Sequence, residues 1–430
     1  MIETLVGFAA FILLAFLRIP LAIAMTIVGF LGFAHMVNIN ASLAMVGQVT
    51  YETGLAYSLS VIPLFILMGN LIVRAKLAEE LFRAAYAFVG HWRGGLAMST
   101  IVASGGFGAI CGSAIATTAT FSQIAEPSMR KFGYKPSLIA GTIASGGTLG
   151  ILIPPSLVFV IYGIMTEESI GKLFIAGILP GILAIGFLCG AIFYVVRRDP
   201  LAGPKGERQG WAVRLASLRR VWAVVLLFVV ILGGIYAGIF TATEGAGIGA
   251  GGALIFALVL GKMRLCDLVE VFVQSATMAA GLFLILVGAT IFTNFVNLTT
   301  MPYDLVALIQ GANMAPVMVV LMICLVYLVL GTAMEELSMI ALTVPLFYPI
   351  VTDLGYSGIW FGVIVAVVCQ IGLTTPPVGI NIFVVKSVMK DLPLREAFRG
   401  TWPFNGALVL LLLLLVFVPG IATVLVENVR

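Results

Sequence analysis

Apolar stretches of roughly 15 to 25 residues recur from one end of this chain to the other, each long enough to cross a hydrocarbon core of about 30 Å as a helix. No single feature constrains the fold more. Inside a bilayer every backbone N–H and C=O must be satisfied within the segment, so consecutive spans of this length imply an all-α polytopic membrane protein. Composition agrees: 61% of the 430 residues are hydrophobic and 10% are charged, against roughly a quarter charged in soluble domains. Met1-Ile2-Glu3-Thr4 lacks a basic leader region, so Leu5 to Leu17 reads as a first membrane helix.

The pattern predicts full crossings at roughly 4–17, 20–37, 59–73, 137–165, 173–196, 221–239, 246–261, 276–296, 358–388 and 402–424. Segments 95–127 and 315–350 are long, rich in small residues and bent at a mid-segment glycine; they read as helical hairpins that enter and leave on one side. Stretches 77–91 and 303–311 read as amphipathic interfacial helices leading into them. With the N-terminus outside, all of the 23 Lys and Arg except Lys172 and Arg430 fall in inside segments, as the positive-inside rule requires. Residues 197–220, with seven basic residues, read as a cytoplasmic linker; an anionic-lipid contact is the sharper reading of the same charges.

The two halves repeat. Gly112-Ser113-Ala114 matches Gly331-Thr332-Ala333 at an offset of 219. Downstream the offset is 222: Pro127 with Pro349, Gly133-Tyr134 with Gly355-Tyr356, Gly150 with Gly372, Pro154-Pro155 with Pro376-Pro377. Gly177 and Pro180 match Gly400 and Pro403 at 223. On the predicted topology the first hairpin opens inward and the second outward, so the repeats are inverted. The parts are then N-terminal scaffold helices (1–94), a first repeat (95–196), the linker (197–220), central scaffold helices with a second arm helix (221–311) and a second repeat (312–430).

Proline pairs in mid-span break a helix because each lacks an N–H and clashes with the preceding turn. The carbonyls freed at Pro154-Pro155 and Pro376-Pro377, beside Gly146 to Gly150 and Gly372 to Thr375, must line an enclosed cavity or bind a cation. The hairpin tips at Gly112-Ser113 and Gly331-Thr332 offer carbonyls and hydroxyls suited to a hard cation, and half-helix N-termini suited to a carboxylate. Glu335 and Glu336 are intramembrane carboxylates, a costly placement that usually serves function. Other classes fit poorly. The only histidines are His35 and His91, and HExxH is absent, so a hydrolase site is not indicated; no TVGYG-type filter marks a channel. Five cysteines without a CxxC pair indicate neither a disulfide framework nor a metal knuckle.

Residues 112–129 (GSAIATTATFSQIAEPSM), 146–163 (GGTLGILIPPSLVFVIYG), GTAMEE from 331 and GLTTPPVGINIFV from 372 resemble the large membrane subunit of tripartite ATP-independent periplasmic (TRAP) transporters. The resemblance covers essentially the whole chain. It implies an elevator-type Na⁺ symporter for organic acids such as sialic acid or a C4-dicarboxylate in a bacterial inner membrane, and the charge count above puts both termini in the periplasm. It also implies a small four-helix membrane subunit and a soluble periplasmic substrate-binding protein as partners. Its Na⁺ sites would fall on Gly112 and Ser113 with Ser145, Gly146 and Thr148, and on Gly331 and Thr332 with Gly372, Thr374 and Thr375. Substrate would meet Ser113, Thr117, Pro154, Ser156, Glu335, Pro376 and Asn381. A stand-alone carboxylate symporter of related fold, driven by Na⁺ or by H⁺ through Glu335 or Glu336, is the alternative.

Overall fold

The computed structural model describes residues 2–427 apart from 262, 300, 302, 303 and 305–313. The predicted arm helix at 303–311 therefore lies outside the described residues. All regular elements among those described are helices. The first third holds α1 (Ile2–Phe16), α2 (Leu21–Met36), α3 (Ile39–Leu55), α4 (Val61–Arg74), α5 (Leu77–Val89), α6 (Gly95–Cys111) and α7 (Ala114–Lys131). A broken span follows as α8 (Pro136–Gly147), α9 (Leu149–Leu152) and α10 (Leu157–Thr166), then α11 (Ile170–Arg198) and α12 (Trp211–Arg220). The remainder comprises α13 (Trp222–Tyr236), α14 (Ala242–Val259), α15 (Leu265–Leu298), α16 (Pro316–Gly331), α17 (Glu336–Asp353), α18 (Gly358–Gly372), α19 (Ile380–Val388) and α20 (Leu394–Phe417), with a final turn at Gly420–Thr423. Seven described helices are long and apolar enough to cross a membrane, and a shorter set of 10–17 residues includes α1, α2, α6, α16 and α18.

Two packing groups organise the chain. Helices α1 to α4 pack with α13, α14 and α15, whereas α6 to α11 pack with α16 to α20. In the second group α8 and α18 are buried along nearly their whole length, which is why their sequences are apolar on every face. Both hairpins form: α6–α7 turns at Gly112-Ser113, and α16–α17 turns over 332–335. The first arm helix forms as α5, whose apolar side buries Leu77, Ala78 and Phe82.

Four elements differ from the sequence reading. Helix α3 was not anticipated; Asn38 caps it by accepting from Ala41 N at 2.8 Å, but Gln48, Tyr51 and Glu52 interrupt any apolar run that would have revealed it. The 276–296 span is the middle of α15, whose polar first turns are stabilised by Arg74, which donates to Asp267 at 2.8 Å and Glu270 at 2.9 Å. The last span begins earlier, at Leu394 after Pro393, and ends before Pro419, each proline marking a boundary its geometry suits.

The fourth difference is the linker, which is a strap. Gly94 N donates to Gly203 O (2.9 Å), Gly206 N to Gly90 O (3.0 Å) and Lys135 N to Ala202 O (3.0 Å). The Tyr134 hydroxyl donates to Pro204 O at 2.9 Å and accepts from Leu96 N at 3.1 Å. Lys135 pairs with Asp199, whose carboxyl is thereby held below its ordinary range. The strap thus staples the entry of the first hairpin to the α7–α8 corner, and it ends in α12.

Candidate functional site

The site is built from two breaks and two tips. In the first break the helix unwinds between Leu152 and Leu157, with Pro154-Pro155 in the cis form; Pro376-Pro377, between α18 and α19, is cis as well. The Ser156 hydroxyl, fully buried, donates back to Ile151 O and so satisfies one freed carbonyl. Thr148 donates to Ser145 O at 2.7 Å. In the second break Thr375 donates to Ile371 O at 2.6 Å, and Thr374 donates to Asn405 Oδ1 at 2.6 Å. Asn405 donates in turn to Thr374 O (3.3 Å) and to Thr375 Oγ1 (3.2 Å), while Thr401 donates to Thr374 O at 3.1 Å.

Each tip sits against its own break through a glycine crossing. A Cβ on Gly108 would lie 2.7 Å from Gly150 Cα, and one on Gly372 would lie 2.7 Å from Gly331 Cα. Only hydrogen fits at these points, so the backbones meet directly. Gly112 takes φ +63° to end α6, and Thr332 O accepts from Gly379 N at 3.2 Å. Ser113 and Glu335 are the N-caps of α7 and α17, accepting from Ala116 N (3.4 Å) and Ser338 N (3.1 Å). These equivalent caps are 222 residues apart, the same offset as the breaks. The structural partner of Ser113 is therefore Glu335; the 219 match of Gly112-Ser113 with Gly331-Thr332 reflects a second tip that carries a longer turn.

A cavity of about 1260 Å³ opens from this point toward Arg74, Lys76 and Arg83, running between α7 and the walls of α4, α5 and α15. Of the predicted substrate residues, Ser113 and Glu335 line it; Thr117, Pro154, Ser156, Pro376 and Asn381 do not. Thr117 donates to Ser113 O at 2.7 Å, behind the tip. Asn381 is fully buried and donates to Ala144 O at 3.0 Å, which joins the second break to the first broken span. A second cross-repeat clasp is bidentate: Arg130 on α7 donates to both Asp391 oxygens, at 2.8 and 2.7 Å.

Chemically the arrangement suits a cation. The hydroxyls of Thr148, Thr332 and Thr375 each donate their single proton to a helix carbonyl, which leaves lone pairs for a hard ion. Ser145 Oγ, Thr118 Oγ1 and Asn381 Oδ1 are buried and have no protein hydrogen-bond partner. No group of three or more His, Cys, Asp or Glu side chains suited to a metal occurs among the described residues. The sequence reading did not single out Asn405 or Thr401, nor Gln370, whose buried amide atoms have no protein hydrogen-bond partner. An amide in an otherwise apolar span, as at Gln370 and Asn405, was the available signal.

Residues 8–421 match the family described as "Tripartite ATP-independent periplasmic transporter, DctM component". The chain belongs to that family. It is 37% identical over 367 residues to the C4-dicarboxylate TRAP transporter large permease protein DctM of Pseudomonas aeruginosa, covering 85% of each chain. It is 34% identical over 363 residues to the ectoine/5-hydroxyectoine TRAP transporter large permease protein UehC of Ruegeria pomeroyi, covering 84% of each. Among solved structures, the Alcanivorax borkumensis YdaH transporter superposes with a TM-score of 0.62 at 15% identity, covering 87% of each chain. At that identity the likeness is one of fold. This TRAP large subunit is accordingly a multi-pass membrane transporter component and not an enzyme.

Proposed function

We propose that this TRAP large subunit imports an organic acid, a carboxylate such as a C4-dicarboxylate or sialic acid, by Na⁺-coupled symport. The observation that carries the reading is the meeting of both hairpin tips at the deep end of one cavity, with Ser113 and Glu335 on its wall. The N-terminus of α7 opens there, and its N–H groups attract a carboxylate where no Lys or Arg is at hand, while the N-terminus of α17 is already capped by Glu335. The oxygens of Ser145 and Thr148 in one repeat, and of Thr332, Thr374 and Thr375 in the other, are the proposed Na⁺ ligands, with Gly112, Gly146, Gly331 and Gly372 supplying close-packed backbone. The names of the two relatives support a carboxylate, since C4-dicarboxylates and ectoine all carry one.

In this reading the hairpins and broken helices move as one body, clasped by Arg130–Asp391 and Asn381–Ala144, past the group formed by α2, α4, α14 and α15. The cavity's basic mouth is assigned to the cytoplasmic side by the positive-inside rule, the same rule that puts both termini of this inner-membrane protein in the periplasm. A small four-helix membrane subunit braces it, and a soluble periplasmic protein delivers the substrate.

The test is uptake into proteoliposomes containing all three components, with Na⁺ and H⁺ gradients imposed separately. Full-rate uptake without Na⁺ would refute the coupling, and full-rate uptake without the binding protein would refute the tripartite assembly. Thr332→Val and Thr375→Val are each expected to raise the Na⁺ concentration for half-activation by roughly tenfold or more, the scale seen for lost metal-site interactions. Unchanged Na⁺ activation in both variants would remove those ligands from the site.

A further inference from the structure

Nothing in the transport cycle accounts for α12. It leaves the axis of the α13 span at 55°, and it ends the strap that staples the first hairpin. Trp211, Leu215 and Leu218 stand at i, i+4 and i+7, one stripe of a helix, and all three are exposed, Trp211 at 68%. Arg208 and Arg219 flank the stripe, exposed and without an ion pair among the described residues. Arg220 has only a long pair with Glu80, at 3.7 Å, and Glu207 is the one exposed acid beside the stripe. Arg214 alone turns inward: it is buried, donates to Ala87 O of α5 at 3.0 Å, and holds its guanidinium 5.0 Å from the centre of the Trp211 ring. The apolar stripe is thus fixed in place by a buried contact and not by chance exposure.

We propose that α12 binds anionic phospholipid at the bilayer surface where α13 begins. The Trp-Leu stripe inserts at the acyl boundary, and Arg208 and Arg219 hold lipid phosphates. An indole at the headgroup level beside arginines that reach phosphate is the ordinary chemistry of an interfacial helix. Through Arg214 and the strap, the lipid then anchors α5 and the entry of the first hairpin.

The full chain, alone and with its co-purifying membrane subunit, is placed in nanodiscs of phosphatidylcholine or phosphatidylglycerol with brominated acyl chains. The emission lost in Trp211→Phe isolates the Trp211 signal. It is expected to be quenched in both preparations. Phosphatidylglycerol retained by the solubilised protein, read by native mass spectrometry, is expected to fall roughly tenfold in the double variant Arg208→Gln/Arg219→Gln. Should that variant fail to fold, wild-type retention should instead weaken as salt is raised. Unquenched Trp211 overturns the proposal, as does retention insensitive to both the variant and salt. Quenching that disappears when the membrane subunit is present would assign the stripe to a protein contact, and would equally overturn it.

Discussion

Adding one methyl group at Gly372 is expected to damage this protein far more than adding one at Gly331, although the two residues face each other. A Cβ on Gly372 would sit 2.7 Å from Gly331 Cα, 2.8 Å from its carbonyl carbon and 3.1 Å from its oxygen. All three are backbone atoms, and normal carbon contacts lie at about 3.5–4.0 Å. The tip must therefore lift from the break by close to an ångström, with a cost near the top of the roughly 1–3 kcal/mol range for overpacking. A Cβ on Gly331 meets Gly372 Cα at 3.2 Å, and its next nearest neighbours are Met339 side-chain atoms at 3.5 and 3.6 Å. The flexible thioether can yield, so the cost should be well under half as large. The first repeat mirrors the contrast: Gly108 is the intolerant partner, at 2.7 and 2.8 Å from Gly150 backbone, while Gly150 meets nothing nearer than 3.3 Å. Gly186→Ala, where a Cβ has nothing within 4 Å, serves as the control. Thermal denaturation of the solubilised protein and uptake rate should both rank Gly372→Ala and Gly108→Ala below Gly331→Ala, Gly150→Ala and the control. Equal losses within each pair, or Gly372→Ala behaving like Gly186→Ala, would refute the reasoning that the tips rest on backbone contact.

Asn405→Leu should raise the half-activating Na⁺ concentration roughly tenfold, as expected for an outer-shell partner, because Asn405 orients the oxygens of Thr374 and Thr375. A Na⁺ titration of uptake checks it, and an unchanged midpoint would leave Asn405 a packing residue. The Asp391 carboxyl is held below its ordinary value of 3.8 by the hydrogen bonds from Arg130. A depressed carboxylate stabilises the fold above its unfolded pKa and loses that effect as pH falls through the native value. Wild type should therefore melt slightly above Asp391→Asn at neutral pH, with the gap closing below pH 3.8 and narrowing in high salt. A gap that is independent of pH would show that the clasp is not electrostatic.

Much of this site was legible because broken helices require rare local chemistry. Two proline pairs at one constant spacing, each with a glycine before it, are local signals, and they survive without any knowledge of packing. What escaped notice were contacts that act across long sequence distances. Asn405 reaches Thr374 from another helix, Asn381 reaches Ala144 over 237 positions, and the pairing of Ser113 with Glu335 emerged only once both were seen as caps. Helix α3 and the polar start of α15 were missed for the opposite reason: their stability comes from a cap and from ion pairs, which leave no apolar run.

By itself the sequence determined that the chain spans a membrane many times, that its two halves repeat, and where each half is broken. Those properties follow from backbone hydrogen bonding in a medium without water, which every residue experiences locally. Tertiary structure alone decided which predicted residues meet. Ser113 and Glu335 reach the cavity wall, whereas Asn381 and Ser156 turn inward to satisfy carbonyls. It also turned a polar linker into a strap with an exposed Trp-Leu stripe. In each case the choice depended on which buried polar atom found a partner from a distant helix, and that is settled by packing.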